Sequence, residues 1–214
     1  MNDYKLKNKW TLWYHSINNK EWTNDSYVKV IELRTLLDYK LLENIFRINH
    51  LQNGMFFIKK NDIFPTWEDP NNRLGGCISF KYDNNILKEF LKLLLLCITN
   101  NLSTKENINE INGLSIAPKK EFNIVKIWTK NYDKNYNEIV KEYGPFVKYD
   151  KCIYKKHELS YWIFLLVFFF FFSLCLCFSF FFDPVLYCKQ SLLHVVILVD
   201  KLSPIFGNNI LTSL

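Results

Sequence analysis

The stretch FPTWEDPNNRLGGCISFKY, residues 64–82, passes from a turn-rich loop into a strand. Pro, Asp, Asn and paired Gly residues dominate residues 64–76, which indicates a surface loop. The remaining segment, CISFKY, alternates apolar and polar side chains as a half-buried strand does. Trp67 and Glu68 therefore lie next to each other in a loop, where a bulky exposed indole usually has a binding partner.

Other strands and helices alternate on both sides of this stretch. The strand signature recurs in KWTLWYHS, MFFIKK, GLSIA and NIVKIWTK, which are bounded by Asn, Asp, Gly or Pro. Apolar residues at helical spacing predict three helices, within residues 36–49, 84–101 and 135–145. Asn84 or Asn85 is the expected cap of the second helix. This pattern predicts an α+β fold, an antiparallel sheet with helices on one face.

The charge and cysteine content narrow the class of protein. The net charge is +6, and the basic excess lies in residues 1–157. A basic surface suits phosphate or nucleic acid, although a lysine-rich protein can also simply be soluble. The six cysteines are scattered without a CxxC pair, which favours a reducing compartment over zinc or disulfides. The polar, charged N-terminus predicts no signal peptide.

The common catalytic and nucleotide-binding motifs are missing from the sequence. It contains no GxGxxG, GxxxxGK[ST], GxSxG or HExxH pattern. The four histidines, His15, His50, His157 and His194, lack acidic or cysteine companions at ligand spacing, so each is expected at the surface. We therefore expect a protein without enzymatic activity, metal or cofactor.

Tryptophan placement gives the strongest functional signal. Trp10, Trp13 and Trp128 lie in strand patterns and are expected in the core. Trp22 and Trp67 instead lie among polar residues, in NKEWTND and FPTWEDPNN. Each indole either binds a ligand or folds back over its own loop as a small satellite core, and the single residues leave both possibilities open.

The composition changes sharply near residue 159. Residues 161–182 carry no charge and are long enough to span a bilayer, which predicts a tail anchor. However, residues 168–182 contain only Phe, Ser, Leu and Cys, all of which can be encoded by codons that begin with T. Translated pyrimidine-rich intron sequence is the alternative. The expected domains are residues 1–158, a folded domain, and 159–214, an apolar tail.

Four segments in this order resemble the eukaryotic translation initiation factor 4E family: KNKWTLWYHS, EW at 21–22, PTWEDPNNRLGG and IVKIWTKN. The resemblance covers about residues 4–157. It implies a curved antiparallel sheet backed by about three helices. It also implies that the protein binds the 7-methylguanosine cap of messenger RNA (m7GpppN) in the cytoplasm or nucleus, and is not an enzyme. A membrane location applies only if the 161–182 run is a genuine anchor.

The resemblance assigns roles to residues of the cap site. Trp22 and Trp67 match the family's two stacking residues, and an indole on each face attracts a cationic methylated guanine more than plain guanine. Glu68 matches the acid that accepts two hydrogen bonds from the base's Watson–Crick edge. The backbone N–H of Trp67 would donate to the guanine oxygen.

The implied phosphate clamp is incomplete. Of the family's three basic contacts, one falls on Lys119, whereas the other two fall on Cys77 and Ile124. Lys120 and Lys126 are the candidates to substitute for them. We expect weaker cap binding than is typical of the family, with a shallow salt dependence.

The resemblance also implies a protein partner: a helical peptide, carrying a tyrosine and a downstream leucine, from a 4G-like scaffold factor or a 4E-binding repressor. Leu42, Phe46 and Leu96 match its apolar groove, unless these residues simply pack helix against sheet. The alternative functions are a cap-binding translational repressor, a membrane-tethered module and a truncated product. Truncation is considered because the family's final strand and a cap-contacting loop are expected after about His157.

Overall fold

The computed structural model describes residues 4–83, 86–144 and 146–157. Its framework is a curved, seven-stranded antiparallel sheet with the strand order β2-β1-β3-β5-β6-β4-β7. The strands are β1 (Lys5–Ser16), β2 (Tyr27–Thr35), β3 (Gly54–Lys60), β4 (Gly76–Asp83), β5 (Ile111–Pro118), β6 (Phe122–Thr129) and β7 (Cys152–Lys156). The predicted α+β class and antiparallel sheet are confirmed.

Four α-helices accompany the sheet in the described residues, rather than about three. They are α1 (Leu36–Ile45), α2 (Ile48–Asn53), α3 (Leu87–Ile98) and α4 (Tyr136–Ile139). The predicted helix within 36–49 is divided in two because Phe46 is extended, with φ −72° and ψ 132°. The chain turns there so that Phe46 packs inward.

Local capping explains where α1 begins. The Thr35 hydroxyl accepts a hydrogen bond from the Asp38 N–H at 3.2 Å, and the Asp38 carboxylate accepts one from the Thr35 N–H at 2.8 Å. This reciprocal capping box satisfies two backbone donors that a helix start leaves free. The predicted caps of α3, Asn84 and Asn85, lie outside the described residues.

Two strands were missed in the sequence. β2, YVKVIELRT, has its apolar residues on both faces and shows no clean alternation. β7 follows a short 3₁₀ turn and holds only five residues. β7 ends at Lys156 and pairs with β4. The final strand and cap-contacting loop expected after about His157 fall outside the described residues and stay a prediction.

The two faces of the sheet have different environments. The helix face carries the main core, in which residues such as Trp10, Leu12 and Ile58 pack against Leu42, Phe90 and Leu94 of the helices. The opposite face, called here the open face, carries a smaller cluster formed by Tyr27, Phe57, Cys77 and Trp128 together with Trp13, Met55 and Phe64. This second cluster consists of strand residues and Phe64 of a loop, so the open face is where a ligand can approach.

The chain divides into two units, Met1–Leu159 and Ser160–Leu214. The 161–182 run and the 159–214 tail lie outside the described residues. The anchor and intron interpretations therefore stay predictions. Within residues 4–83, 86–144 and 146–157, none of the helices has the length and apolar character needed to cross a membrane.

The paired glycines of the opening stretch are needed for close backbone approach. A Cβ added at Gly75 would lie 1.8 Å from the Thr129 carbonyl oxygen, and one at Gly76 would lie 2.5 Å from the Lys155 carbonyl oxygen. Both contacts are with backbone, which cannot move aside as a flexible side chain could. The GG pair therefore allows the Trp67 loop to enter β4 between β6 and β7.

We predict that Gly75→Ala lowers the free energy of unfolding by about 1–3 kcal/mol, because the added methyl group overpacks this contact. Urea denaturation measures the change. The matched control is Leu74→Ala, since Leu74 is 69% exposed and its truncation should cost less than about 0.5 kcal/mol. Equal unfolding midpoints for the two variants would contradict the close-approach explanation.

Candidate functional site

The loop that carries Trp67 is braced by its own polar side chains. The Asp69 carboxylate accepts hydrogen bonds from the N–H groups of Phe64 at 2.9 Å and Asn71 at 2.8 Å. The buried Asn72 amide donates to the carbonyl oxygens of Phe64 at 2.9 Å and Thr66 at 2.7 Å. These bonds hold the loop in one shape, while Trp67 remains 45% exposed.

Trp67 lies parallel to His157, with ring centroids 6.0 Å apart and an interplanar angle of 7°. The His157 Nδ1 lies 2.7 Å from the Asn72 carbonyl oxygen, and since a carbonyl only accepts, Nδ1 carries the proton. The Nε2 then accepts from the Cys77 thiol at 3.1 Å. The expectation of a surface His157 was wrong, because the residue is only 5% exposed.

Burial keeps both members of the Cys77–His157 pair uncharged. Burial lowers the pKa of His157 to about 4, and the hydrogen bond to Asn72 only partly opposes this shift. Burial likewise raises the pKa of the Cys77 thiol to about 11. At neutral pH the wall behind Trp67 is therefore a neutral imidazole and a protonated thiol.

Trp22 has a similar partner on the other side of the open face. Its ring stacks on His15 with centroids 4.2 Å apart and an interplanar angle of 10°. His15 is 0% exposed, so the expectation of a surface residue was wrong here too. Trp22 itself is 56% exposed. Neither Trp22 nor Trp67 forms a closed satellite core, because each remains about half exposed.

A continuous series of ring contacts joins the two indoles across the open face. From Trp22 the centroid distances are 6.2 Å to Tyr27, 5.6 Å on to Phe57 and 6.4 Å on to Trp128. His157 lies 5.0 Å from Trp128 and stacks on Trp67. Sequence positions 22 and 67 are thus brought to one face by β1, β2, β3 and β6.

Glu68 acts electrostatically on residues near both indoles. Burial raises the pKa of Tyr27 to about 12, and the Glu68 carboxylate contributes to the same shift. The Glu68 carboxylate also raises the pKa of His157, against the larger effect of burial. Both effects mean that the exposed Glu68 carboxylate is within electrostatic range of Tyr27 and His157.

The predicted basic residues occupy different places. Lys119 and Lys120 are exposed in the turn between β5 and β6, where the Lys119 N–H donates to the Phe122 carbonyl at 2.7 Å. Lys126 is half-buried in β6 and shares its face with Trp128, two residues away and hence about 7 Å along the strand. Of these three predicted lysines, Lys126 therefore lies nearest the ring series, and Ile124 follows it on the same face.

Two further lysines near the site were missed in the sequence. Lys155 pairs across the sheet with Cys77, so its side chain lies beside one of the positions that the resemblance assigns to the phosphate clamp and at which this chain has no basic residue. Lys59 is fully buried, and its Nζ lies 3.3 Å from the centroid of the Trp128 ring and 3.3 Å from the Asn72 Oδ1. Burial lowers the pKa of Lys59. Only strand pairing could have revealed either residue.

The predicted partner groove lies partly inside the protein. Leu42 and Phe46 are 2% and 6% exposed and belong to the core between helices and sheet, which is the alternative that the sequence left open. Phe46 contacts the edge of Phe56 at 4.9 Å between centroids. Leu96 is half-buried. The exposed apolar residues of α1 are Leu37, Leu41 and Ile45, at a spacing of four.

Comparison with known proteins identifies the family. A sequence profile described as "Eukaryotic initiation factor 4E" matches residues 5–161, well over half of the chain. The chain belongs to the eukaryotic initiation factor 4E family. The resemblance seen in the sequence is thus confirmed over nearly the same residues.

The relatives in this family are distant, and each match covers only part of both chains. The eukaryotic translation initiation factor 4E of Saccharomyces cerevisiae is 30% identical over 138 residues, which cover 61% of this chain and 64% of that protein. Its Dictyostelium discoideum counterpart is 28% identical over 135 residues, covering 59% of this chain and 52% of that protein. The chain therefore spans between about half and two thirds of the length of these curated relatives.

Solved structures of the family share the fold. C. elegans eIF4E-3 in complex with the 4E-binding protein Mextli has a TM-score of 0.55 and 25% identity, covering 63% of this chain and 79% of that chain. Ascaris suum eIF4E-3 in complex with m7G cap has a TM-score of 0.55 and 24% identity, covering 62% of this chain and 76% of that chain. The family sheet and its backing helices are therefore present in this chain.

The buried, neutral His157 predicts a pH dependence of stability. Its pKa is about 4 in the folded protein against the ordinary histidine value of 6.5, so the unfolded chain binds more protons between these values. The contribution of His157 to stability is complete above pH 6.5 and is lost as the pH falls towards 4. We expect wild type to lose roughly 2–3 kcal/mol more than His157→Gln between pH 7.5 and 4.5.

Urea unfolding at the two pH values measures this difference. His50→Gln is the matched control, because His50 is exposed on α2 and lies away from the open face. His50→Gln retains His157, so it should lose more stability than His157→Gln over the same pH interval. Parallel behaviour of wild type and His157→Gln would show that His157 is not held neutral.

Proposed function

We propose that this chain binds the 7-methylguanosine cap of messenger RNA on its open face. One observation carries the proposal: Trp22 and Trp67 are half-exposed on the same face and joined by a series of aromatic rings, and the exposed Glu68 follows Trp67 in the same loop. The activity is recognition of a ligand rather than catalysis. The proposed location is the cytoplasm, where messages are translated.

The chemistry of the ligand suits two indoles. A 7-methylated guanine carries delocalised positive charge, and an indole face attracts such a cation more than it attracts neutral guanine. Stacking of a base on an aromatic side chain contributes about 1–3 kcal/mol. Trp22 and Trp67 each have one face covered by a histidine, so the other face of each ring is the one offered to the base.

Glu68 supplies the specificity for guanine in this proposal. Its carboxylate would accept hydrogen bonds from the N–H groups on the Watson–Crick edge, and charge-assisted bonds of this type are about twice as strong as neutral ones. Trp67 and Glu68 are adjacent in a loop that Asp69 and Asn72 brace, so stacking and edge recognition are fixed together. The loop therefore selects the base and its methyl group at once.

The phosphate chain would follow β6 away from Trp128. Lys126 is the nearest basic residue along this path, and Lys155 stands beside Cys77 at its start. Lys119 and Lys120 lie at the hairpin turn, about 20 Å from Trp128 along the strand. Lysine contacts are single point charges without the bidentate fork of arginine, which fits a weaker clamp.

A relative supports the ligand class. The Ascaris suum protein with the same fold was solved with m7G cap bound. Its resemblance to this chain shows the fold alone at 24% identity. The residues that would perform the binding in this chain are therefore argued from its own geometry, and they require a direct test.

We further propose that the chain recruits a scaffold factor to capped messages through its helix face. The C. elegans relative was solved with the 4E-binding protein Mextli, and the schistosome relative with 4E-BP. The surface offered by this chain is the exposed stripe of Leu37, Leu41 and Ile45 on α1, with Leu96 of α3 beside the core. An amphipathic helix with a tyrosine and a downstream leucine is the proposed occupant. A 4E-binding repressor peptide would use the same surface.

We expect m7GTP to quench tryptophan fluorescence of the full chain more strongly than GTP does. Trp22→Ala and Trp67→Ala should each weaken m7GTP binding by roughly 5- to 100-fold, because each removes one stacking face. Glu68→Gln should weaken m7GTP binding by a similar factor, since a neutral amide offers one acceptor oxygen instead of two.

Two exposed residues provide matched controls for these variants. Tyr4→Ala removes an exposed aromatic ring outside the ring series, and Glu106→Gln removes an exposed carboxylate elsewhere. Both variants should bind m7GTP as wild type does. Equal affinity of wild type for m7GTP and GTP would refute cap recognition.

We predict that Leu41→Asp weakens binding of the amphipathic helical peptide at least tenfold, because it places a charge within the apolar stripe of α1. Isothermal titration with the synthetic peptide measures the affinity. Val28→Asp is the control, since Val28 is equally exposed but lies on the edge strand β2. The helix-face proposal fails if the two substitutions have the same effect.

A further inference from the structure

The contact between His15 and Trp22 is not explained by the roles proposed so far. The two rings are nearly parallel, at 4.2 Å between centroids, which is the closest ring pair recorded among the described residues. His15 lies in β1 and is fully buried, whereas Trp22 lies in the loop after β1 and is half-exposed. A rigid buried ring thus lies under an exposed ring.

The hydrogen bonds of His15 tie the same loop to the sheet. Its Nε2 lies 3.0 Å from the Glu21 carbonyl oxygen, and since a carbonyl only accepts, Nε2 donates the proton. The buried Nδ1 has no hydrogen-bond partner, so the bond to Glu21 is made by the ring nitrogen that faces the loop. Glu21 directly precedes Trp22, and this bond therefore fixes the backbone at the point where the indole begins.

The position of His15 is fixed from both sides. It pairs with Tyr27 of β2 and with Met55 of β3, so its backbone is held in the interior of the sheet. The Tyr27 ring also contacts it edge-on at 5.0 Å. Because β1 is flanked by two strands, His15 is held rigidly and can orient Trp22 of the adjoining loop.

We propose that His15 is the positioning residue for Trp22. Stacking on His15 orients the plane of the indole, and the hydrogen bond from His15 to the Glu21 carbonyl fixes the backbone next to Trp22. This inference rests on the proposed function, in which Trp22 stacks on the base. The imidazole covers one face of the indole and leaves the other face for the ligand. Because Trp22 is already held in place, less side-chain entropy is lost when the base binds.

Two substitutions separate the stack from the hydrogen bond. His15→Phe retains a planar ring and loses the donor to Glu21, whereas His15→Gln retains a donor and loses the ring. An aromatic pair contributes about 0.5–1.5 kcal/mol beyond area burial, so loss of the stack should weaken binding by about 3- to 10-fold. We expect m7GTP affinity to fall by that factor in His15→Gln and to stay within about threefold of wild type in His15→Phe.

A second measurement reads the position of Trp22 without any ligand. In full-length protein labelled with 5-fluorotryptophan, the ¹⁹F resonance of Trp22 is assigned by its loss in Trp22→Phe. His15→Gln should shift this resonance towards the value of a solvent-exposed indole, because the ring current of the imidazole is removed. The resonances of Trp10 and Trp128, which are buried, should not move and so report an intact fold.

His50→Gln is the matched control for histidine loss, since His50 is exposed on α2. The inference is overturned if the Trp22 resonance is unchanged in His15→Gln, or if that variant binds m7GTP as tightly as wild type or more tightly. Failure of wild type to discriminate m7GTP from GTP would instead defeat the proposed function. In that event the fluorine spectrum alone still decides whether His15 holds Trp22 in place.

Discussion

A single buried amide, that of Asn72, holds the Trp67 loop against the sheet. Its Nδ2 donates to Phe64 and Thr66 within the loop, and its Oδ1 accepts from Lys59 of β3 and Asn112 of β5. Its backbone carbonyl accepts from His157. A buried group left without such partners would cost about 1–3 kcal/mol, so the loop, the sheet and His157 are constrained together.

This constraint decides which surface is available for binding. With the loop fixed, Trp67 is held parallel to His157, and its outer face remains open to solvent. The corresponding arrangement at the other end of the ring series is Trp22 on His15. The two indoles thus share the same arrangement, with a buried imidazole stacked on one face of the ring and solvent on the other. The helices take no part in it, which leaves the helix face free for a protein partner.

Patterns read along the chain predicted most of the framework. β1 and β3 to β6 were found because their apolar and polar residues alternate, and α3 because its apolar residues keep one helical face. β2 was missed since an edge strand that is apolar on both faces does not alternate. The split between α1 and α2 was missed because Phe46 leaves the helix in order to pack on Phe56, a contact between residues that lie apart in the sequence.

The sequence by itself determined the family and supplied the candidate groups of the proposed site, since the adjacency of Trp67 and Glu68, and Cys77 and Ile124 at two expected clamp positions, can be read directly from the order of residues. Only the tertiary structure decided where those groups lie. It buried His15 and His157 under the two indoles, set Lys155 opposite Cys77, and placed Leu42 inside the core. These outcomes depend on strand register and on hydrogen bonds between distant residues, which no local periodicity encodes.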